Sequence, residues 1–249
     1  FAIISAFSTL YLSKIFFKSI FSASSCSIIS LLLEAIFNIF NSKLLSVLSI
    51  PPLQQLIIRS SHPSVLFSRD DALFKRVLKN VKIYGEYGCG KSTVWVLRNT
   101  NAQVFSVDTS RYWVNEVPKD NADNNARLII KHVDLGDVGD YGYPIDYSKG
   151  DFFNLYTDFL WNQDEKPSVV LIDGRFRVCC FLTSLKFADE GTHIIFDDYM
   201  LRPEYHIVEK YVERVEHCGR QCLFIVPSPQ EIDLDSLEKD INNFRYVMD

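Results

Sequence analysis

The sequence predicts an α/β fold, a doubly wound and mostly parallel sheet, on three observations. From residue 81 onward, apolar runs of strand length alternate with stretches of helical length, a pattern that requires crossover connections and parallel pairing. One run, Ser168-Val169-Val170-Leu171-Ile172, is uninterrupted in the way of a strand buried on both faces. The first strand is followed at once by a glycine-rich turn, Gly85 to Gly90, that opens onto a helix. Open α/β sheets bind ligands at such carboxyl ends of their strands.

The elements follow in order. Ser68-Arg69-Asp70-Asp71 before Ala72 to Leu78 reads as a helix start with acidic residues in its first turn. Val81 to Tyr84 is a strand, and Ser92 to Arg98 is the helix after the glycine turn. Gln103 to Val107 forms the second strand, ending at Asp108, and Arg111 to Val117 a short helix stopped near Pro118. Arg127 to Val133 is the third strand. A loop rich in Gly and Asp, Gly136 to Gly150, leads into a helix around Phe152 to Trp161. After the Ser168–Ile172 strand come a helix, a strand at Thr192 to Phe196, and a helix at Glu204 to Glu216. Cys222 to Val226 and Phe244 to Val247 are the last two strands.

With 249 residues, 47% of them hydrophobic and 23% charged, the chain can bury the core of one large domain or of a domain plus an appendage. A net charge of −5 leaves no broad basic stripe, which argues against a nucleic-acid partner bound by phosphate neutralisation. The six cysteines form no C-x-x-C pair, so structural zinc is not expected. Cys179-Cys180, inside an apolar run, read as buried small hydrophobes in a reducing compartment, and the expected location is cytoplasmic.

Residues 1–50 stand apart from the domain expected over 51–249. They are built of Phe, Ile, Leu and Ser with Lys14, Lys18, Glu34 and Lys43 as the charged residues, and composition changes at Pro51-Pro52. Without an initiator Met, the chain reads as a fragment or as having an uncertain start. Three readings stay open for this segment: a membrane anchor, apolar helices packed on the domain or a partner, and an extension translated from upstream DNA. The charges break every window of the roughly 18–20 apolar residues that a membrane span needs.

The glycine turn carries the chemistry and has two readings. Gly85-Glu86-Tyr87-Gly88-Cys89-Gly90-Lys91-Ser92 matches G-x-x-x-x-G-K-[ST] of a P-loop NTPase or kinase, and Val169 to Asp173 could serve as its strand with a magnesium-holding acid. Alternatively, Glu86-x-Gly88-x-Gly90 is the acidic turn of a nucleotide-cofactor domain, whose glycines let backbone approach the cofactor and where a side chain at Gly88 or Gly90 would collide with it. Asp108 favours the second reading: it lies 20 residues after Gly88 at a strand end, where a carboxylate accepts bonds from both ribose hydroxyls. A carboxylate at Glu86 would repel a polyphosphate, whereas the cationic sulfonium and ammonium of S-adenosylmethionine welcome acids at Glu86 and Asp173.

Tyr84-Gly85-Glu86-Tyr87-Gly88-Cys89-Gly90-Lys91-Ser92-Thr93 resembles the E-[YF]-G-x-G-x-S-T opening of a group of class I S-adenosylmethionine-dependent methyltransferases. Leu171 to Val178 is similar to their D-G-R-x-R segment, and Phe196-Asp197-Asp198-Tyr199 with Arg202-Pro203-Glu204-Tyr205 to the end of their fifth strand and its loop. The resemblance covers roughly Ser68 to Asp249, and Lys91 departs from it, standing where the group often has a small residue. It implies a seven-stranded Rossmann-like sheet with a final antiparallel hairpin, assigned to Cys222–Val226 and Phe244–Val247. It further implies S-adenosylmethionine held by Glu86, Gly88, Cys89, Gly90, Ser92, Asp108, Asp134 and Asp173, with Asp134 meeting the adenine amine.

The acceptor is expected to be a small molecule or glycan, methylated at oxygen; a methyltransferase-like binding module without catalysis is the third alternative. Asp173, Asp197 and Asp198 resemble the metal-binding acids of cation-dependent O-methyltransferases, but a cofactor role for Asp173 and a capping role for the other two are favoured over a divalent ion. Asp173, Asp197 and His206 are the catalytic candidates, and a lone histidine on a helix is more often structural. Arg175, Arg177, Tyr199 and Arg202 are candidates for substrate binding, the arginines toward an anionic group or as structural ion pairs. Tyr141, Tyr143 and Tyr147 either wall the substrate or pack their own loop. The sequence leaves the oligomeric state open.

Overall fold

The computed structural model describes residues 66–67 and 70–249, within a compact unit running from Ser64 to Asp249. The readings of residues 1–50, and the Ser68-Arg69 start of the first helix, lie outside the described residues. No helix among the described residues is long and apolar enough to cross a membrane.

Seven strands form one sheet: β1 (Ile83–Tyr87), β2 (Gln103–Asp108), β3 (Leu128–His132), β4 (Val169–Ile172), β5 (His193–Phe196), β6 (Glu216–Cys218) and β7 (Gln221–Ile225). Their order is β3-β2-β1-β4-β5-β7-β6. The first five pair in parallel, and β7 runs antiparallel between β5 and β6. Among the described residues six α-helices flank the sheet: α1 (Ala72–Val77), α2 (Lys91–Asn99), α3 (Arg111–Lys119), α4 (Asn154–Thr157), α5 (Arg177–Phe187) and α6 (Leu234–Phe244).

Strand alternation divides the core in two. Val169 and Leu171 pack with Leu73, Phe74, Val96 and Val117 of α1, α2 and α3. Val170 and Ile172, pointing the other way, pack with Phe181 and Leu185 of α5 and Leu237 and Ile241 of α6. A strand apolar at every position is thus buried on both faces, as its sequence requires.

The carboxyl-terminal third departs from the sequence expectation. Residues 204–216 do not form one α-helix: a 3₁₀ segment, Pro203–Lys210, is followed by extended chain and β6. Val215 donates its N–H to Leu223 (2.9 Å), so the β-branched end of that stretch joins the sheet. The antiparallel hairpin is therefore β6–β7, joined through Gly219 (φ +59°) and Arg220. Phe244–Val247 is not a strand. Leu237 and Ile241, four residues apart, bury one face of α6, and Phe244 ends that helix. The 152–161 stretch is likewise short 3₁₀ turns around α4, and α3 continues through Pro118 to Lys119.

One contact sets the geometry at the carboxyl edge of the sheet. The turns after β1 and β4 meet backbone to backbone: a Cβ on Gly88 would lie 2.7 Å from the Gly174 Cα and 2.9 Å from the Asp173 carbonyl carbon. A Cβ on Gly174 would lie 2.7 Å from the Gly88 nitrogen and would also strike the Tyr156 hydroxyl. Gly88 moreover has φ +92°, a conformation that L side chains avoid. Gly88 thus meets a steric demand from the protein's own backbone, which the sequence reading does not include. Gly174→Ala is expected to cost about 1–3 kcal/mol or more, as overpacking against rigid atoms does, read as a lower urea midpoint with an unchanged m-value.

Candidate active site

The glycine turn rests on a buried carboxylate. Glu86, in β1, is fully buried and accepts hydrogen bonds from Tyr84 Oη (2.9 Å), Ser92 Oγ (2.9 Å), Ser106 Oγ (2.9 Å) and Thr93 Oγ1. The strands explain part of this cage. Tyr84 and Glu86 are two apart on one face of β1, and Ser106 of β2 is in register with Glu86. Ser92 and Thr93 come from the first turn of α2, so Glu86 ties that helix to the sheet. Burial pushes its carboxyl up to about 7 against the opposing pull of these hydroxyl donors. Glu86 therefore supports the turn from beneath and has no surface to offer a cofactor.

The N–H groups of the turn are already committed. Gly88 donates to the Val107 carbonyl (2.8 Å), Cys89 to Asp108 Oδ2 (2.7 Å), and Gly90 to Thr93 Oγ1 (2.9 Å). A P-loop needs such groups turned inward on phosphate. Here they face carbonyl, carboxylate and hydroxyl oxygens, and Ser92, which would hold magnesium, is bonded to Glu86. Asp108 sits beside this turn at the end of β2, with Ser110 donating to its other oxygen (2.6 Å). Each oxygen thus has one backbone donor, the Cys89 side chain is a further partner, and acceptor capacity remains on the carboxylate. At Gly90 a Cβ would meet nothing within 4 Å. A carboxylate beside an open glycine edge is a donor set that fits the ribose and methionine portions of S-adenosylmethionine.

The ends of β4 and β5 bring Asp173, Asp197 and Asp198 together, with one oxygen of each within 4.8 Å of the others. Two guanidiniums lie among them. Arg177, whose side chain is 4% exposed, bonds Asp173 Oδ1 (3.1 Å), Asp198 Oδ2 (3.3 Å) and the carbonyls of Asp173, Gly174 and Asp197. Arg220 reaches over from the β6–β7 turn to both oxygens of Asp197 (3.0 and 2.5 Å) and to Asp198 Oδ1 (3.2 Å). Burial, and then the neighbouring Asp173 charge, raise the Asp197 carboxyl despite Arg220. Phe176 and Asp198 both adopt left-handed backbone, at φ +54° and +59°, so the turns carrying these acids are held under strain.

The remaining candidates occupy distinct settings. Asp134 caps its own turn through Gly136 N–H and pairs with Lys149 at 3.5 Å, and it is exposed. Tyr199 is buried, with its hydroxyl committed to Glu209 (2.6 Å). His206 stacks on Tyr199, its Nε2 lying 3.3 Å from the Tyr199 carbonyl oxygen. Arg202 donates to Tyr205 Oη (2.7 Å) and approaches Asp198 at 3.7 Å. Arg177 is spent on structure, whereas Arg175 lies under the exposed ring of Tyr143 (5.7 Å), with its Nε buried and lacking an acceptor among the described residues. Tyr147 packs toward Phe153 and Tyr141 stands exposed.

Several contributors escape a linear reading. Tyr156, buried, accepts from the Arg175 N–H (3.2 Å) and packs at Gly174. Thr109 donates to the Gly142 carbonyl (2.7 Å), tying the loop after β3 to the end of β2. Asp249 accepts from the Phe176 and Arg177 N–H groups (3.1 and 2.9 Å), capping α5 from a distant part of the chain. The Glu86 cage could be read from strand periodicity; Arg220 and Asp249 leave no local signal.

No family model and no curated protein matches the sequence. Among solved structures, a methyltransferase-like protein from Silicibacter pomeroyi is 30% identical, with a TM-score of 0.63 over 73% of this chain and 96% of that one. The N-methyltransferase NodS from Bradyrhizobium japonicum, in complex with S-adenosyl-L-homocysteine, is 13% identical over 68% of this chain and 91% of that one, at a TM-score of 0.45. An O-methyltransferase from Bacillus cereus is 14% identical over 84% and 95%, at 0.42.

The Glu86 cage makes stability depend on pH. Its carboxyl binds a proton more readily in the fold, at about 7, than its ordinary value of 4.5 allows. The stabilisation is therefore complete below pH 4.5 and is lost as pH rises through 7. Glu86→Gln is expected to remove a pH-dependent component on the order of 3 kcal/mol, measured as the difference between wild-type and variant urea midpoints from pH 5 to pH 8.

Proposed function

Because the chain belongs to the class I S-adenosylmethionine-dependent methyltransferases, we propose that it moves the methyl group of that cofactor to an oxygen of a small-molecule or glycan acceptor. The observation that carries the reading is the paired setting of Asp108 and the glycine turn. The turn's N–H groups are satisfied internally while Asp108 keeps acceptor capacity beside an open edge at Gly90.

The chain's own residues then divide the work. Asp108 would bind the ribose hydroxyls, and the open edge at Gly90 would receive the methionine portion. When bound, S-adenosylmethionine supplies a methyl group on a cationic sulfonium. Asp173, at the end of β4 and with its side chain 29% exposed, is the acid that would hold an acceptor hydroxyl and take its proton. Transfer itself asks mainly for alignment of acceptor, methyl and sulfonium. Arg175, with an unsatisfied Nε beneath Tyr143, supports an acceptor bearing a carboxylate or other anionic group. The described cysteines are all free thiols, which supports a reducing, cytoplasmic setting.

Calorimetry with S-adenosylhomocysteine and with Mg-ATP tests the cofactor. Wild type should bind the first and not the second; the opposite result would overturn the reading. Asp108→Asn should weaken S-adenosylhomocysteine binding by roughly ten- to a hundredfold, the loss of about 1.5–3 kcal/mol from bonds to a charged group, and Gly90→Ala should weaken it by filling the open edge. Mass spectrometry after incubation with anionic hydroxylated acceptors tests transfer; cofactor binding without any product would indicate a binding module.

A further inference from the structure

The acids after β4 and β5 have the number and spacing of divalent-cation ligands, yet most of their oxygens already face a guanidinium. Of the six carboxylate oxygens of Asp173, Asp197 and Asp198, five lie within 3.3 Å of a guanidinium nitrogen. Arg177 bonds Asp173 Oδ1 and Asp198 Oδ2; Arg220 bonds Asp197 Oδ1, pairs with Asp198 Oδ1, and lies against Asp197 Oδ2 as a charge contact without an aligned hydrogen bond. An ion of the magnesium or manganese kind requires oxygens at about 2.0–2.2 Å, turned inward on one point. These oxygens are instead turned on two planar forks, which match carboxylate geometry and carry fixed charge.

The charges point the same way. Three carboxylates face two guanidiniums, with Arg202 a further cation at 3.7 Å from Asp198. The acids' charge is thus already neutralised, and a divalent ion added to that set would find no net negative charge to draw it in. Arg177 cannot step aside, because its side chain is buried and bonded to three backbone carbonyls as well. Arg220 is different. It sits on a two-residue turn, its side chain is 24% exposed, and its side chain bonds Asp197 and pairs with Asp198.

We propose that Arg177 and Arg220 are built-in cations that close the Asp173–Asp197–Asp198 cluster to divalent metal, and that Arg220 is the closure whose removal opens it. The resemblance of these acids to a metal centre is then real in position and lost in charge. The inference concerns the charge partners of the acids and does not rest on the methyl-transfer reading.

The test compares full-length wild type, Arg220→Ala, Arg220→Lys and the double variant Arg220→Ala/Asp198→Asn, each titrated with MnCl2 in a calorimeter and melted with and without Mn2+. Wild type should bind Mn2+ too weakly to give a one-to-one isotherm, which sets a lower limit on its dissociation constant, and should show no change in melting. Arg220→Ala should melt lower, bind one Mn2+ at least about tenfold more tightly than wild type, and recover part of its melting temperature in Mn2+, as ligand linkage requires. The double variant should lose that binding. Arg220→Lys, which keeps a point charge but cannot bridge two carboxylates, should gain affinity to an intermediate degree, and it carries the test if the alanine variant does not fold. Wild type binding Mn2+ as tightly as Arg220→Ala would overturn the proposal, as would a folded Arg220→Ala that binds none.

Discussion

A carboxylate buried under the glycine turn is the constraint on which the site depends. Removing Glu86 from water is costly, and four hydroxyl donors offset the cost. The donors come from three parts of the fold: Tyr84 from the same strand, Ser106 from the next, and Ser92 and Thr93 from the helix beyond the turn. Satisfying one side chain thus fixes β1, β2 and α2 relative to one another. Thr93 passes the constraint on, because its hydroxyl also accepts from Gly90. The turn is shaped before any ligand arrives, with its polar groups already paired.

At the other side of the sheet's carboxyl edge, charge replaces hydroxyls as the organising element. Arg177 gathers the β4 turn, the β5 turn and the start of its own helix through side-chain and carbonyl acceptors. Because it is buried, its bonds are little weakened by salt, whereas the exposed Lys166–Asp189 pair on the surface is open to screening. Arg220 adds the β6–β7 hairpin to the same group. One family of turns is held by hydroxyl hydrogen bonds to a buried carboxyl and the other by ion pairs.

The fold was legible where apolar periodicity was unambiguous. The first five strands fall within a few residues of their expected places, because alternation with helices leaves parallel pairing as the consistent arrangement. It was illegible where short segments could satisfy two periods. Residues 204–216 contain enough apolar residues for a helix, yet Val215 finds a backbone partner in Leu223. Phe244 to Val247 reads as strand in isolation, because the packing of Phe244 at the end of α6 is tertiary. In the site, Asp108, Gly88 and the Asp173 and Asp197 turns were visible as spaced residue types. Arg220 was not, since its relation to Asp197 arises only when β7 pairs with β5.

The seat between Gly88 and Gly174 has a consequence for how such a domain can diverge. Two side chains in contact can trade volume, one shrinking as the other grows. Two backbones in contact have nothing to trade: an atom added on either side meets peptide atoms that cannot be shortened. No substitution at one glycine can be rescued by a substitution at the other. Sequence drift in this pair is therefore blocked in both directions, while the loop after β3, tied down at Thr109, carries exposed Tyr141, Tyr143 and Tyr147 whose side chains are under no such constraint.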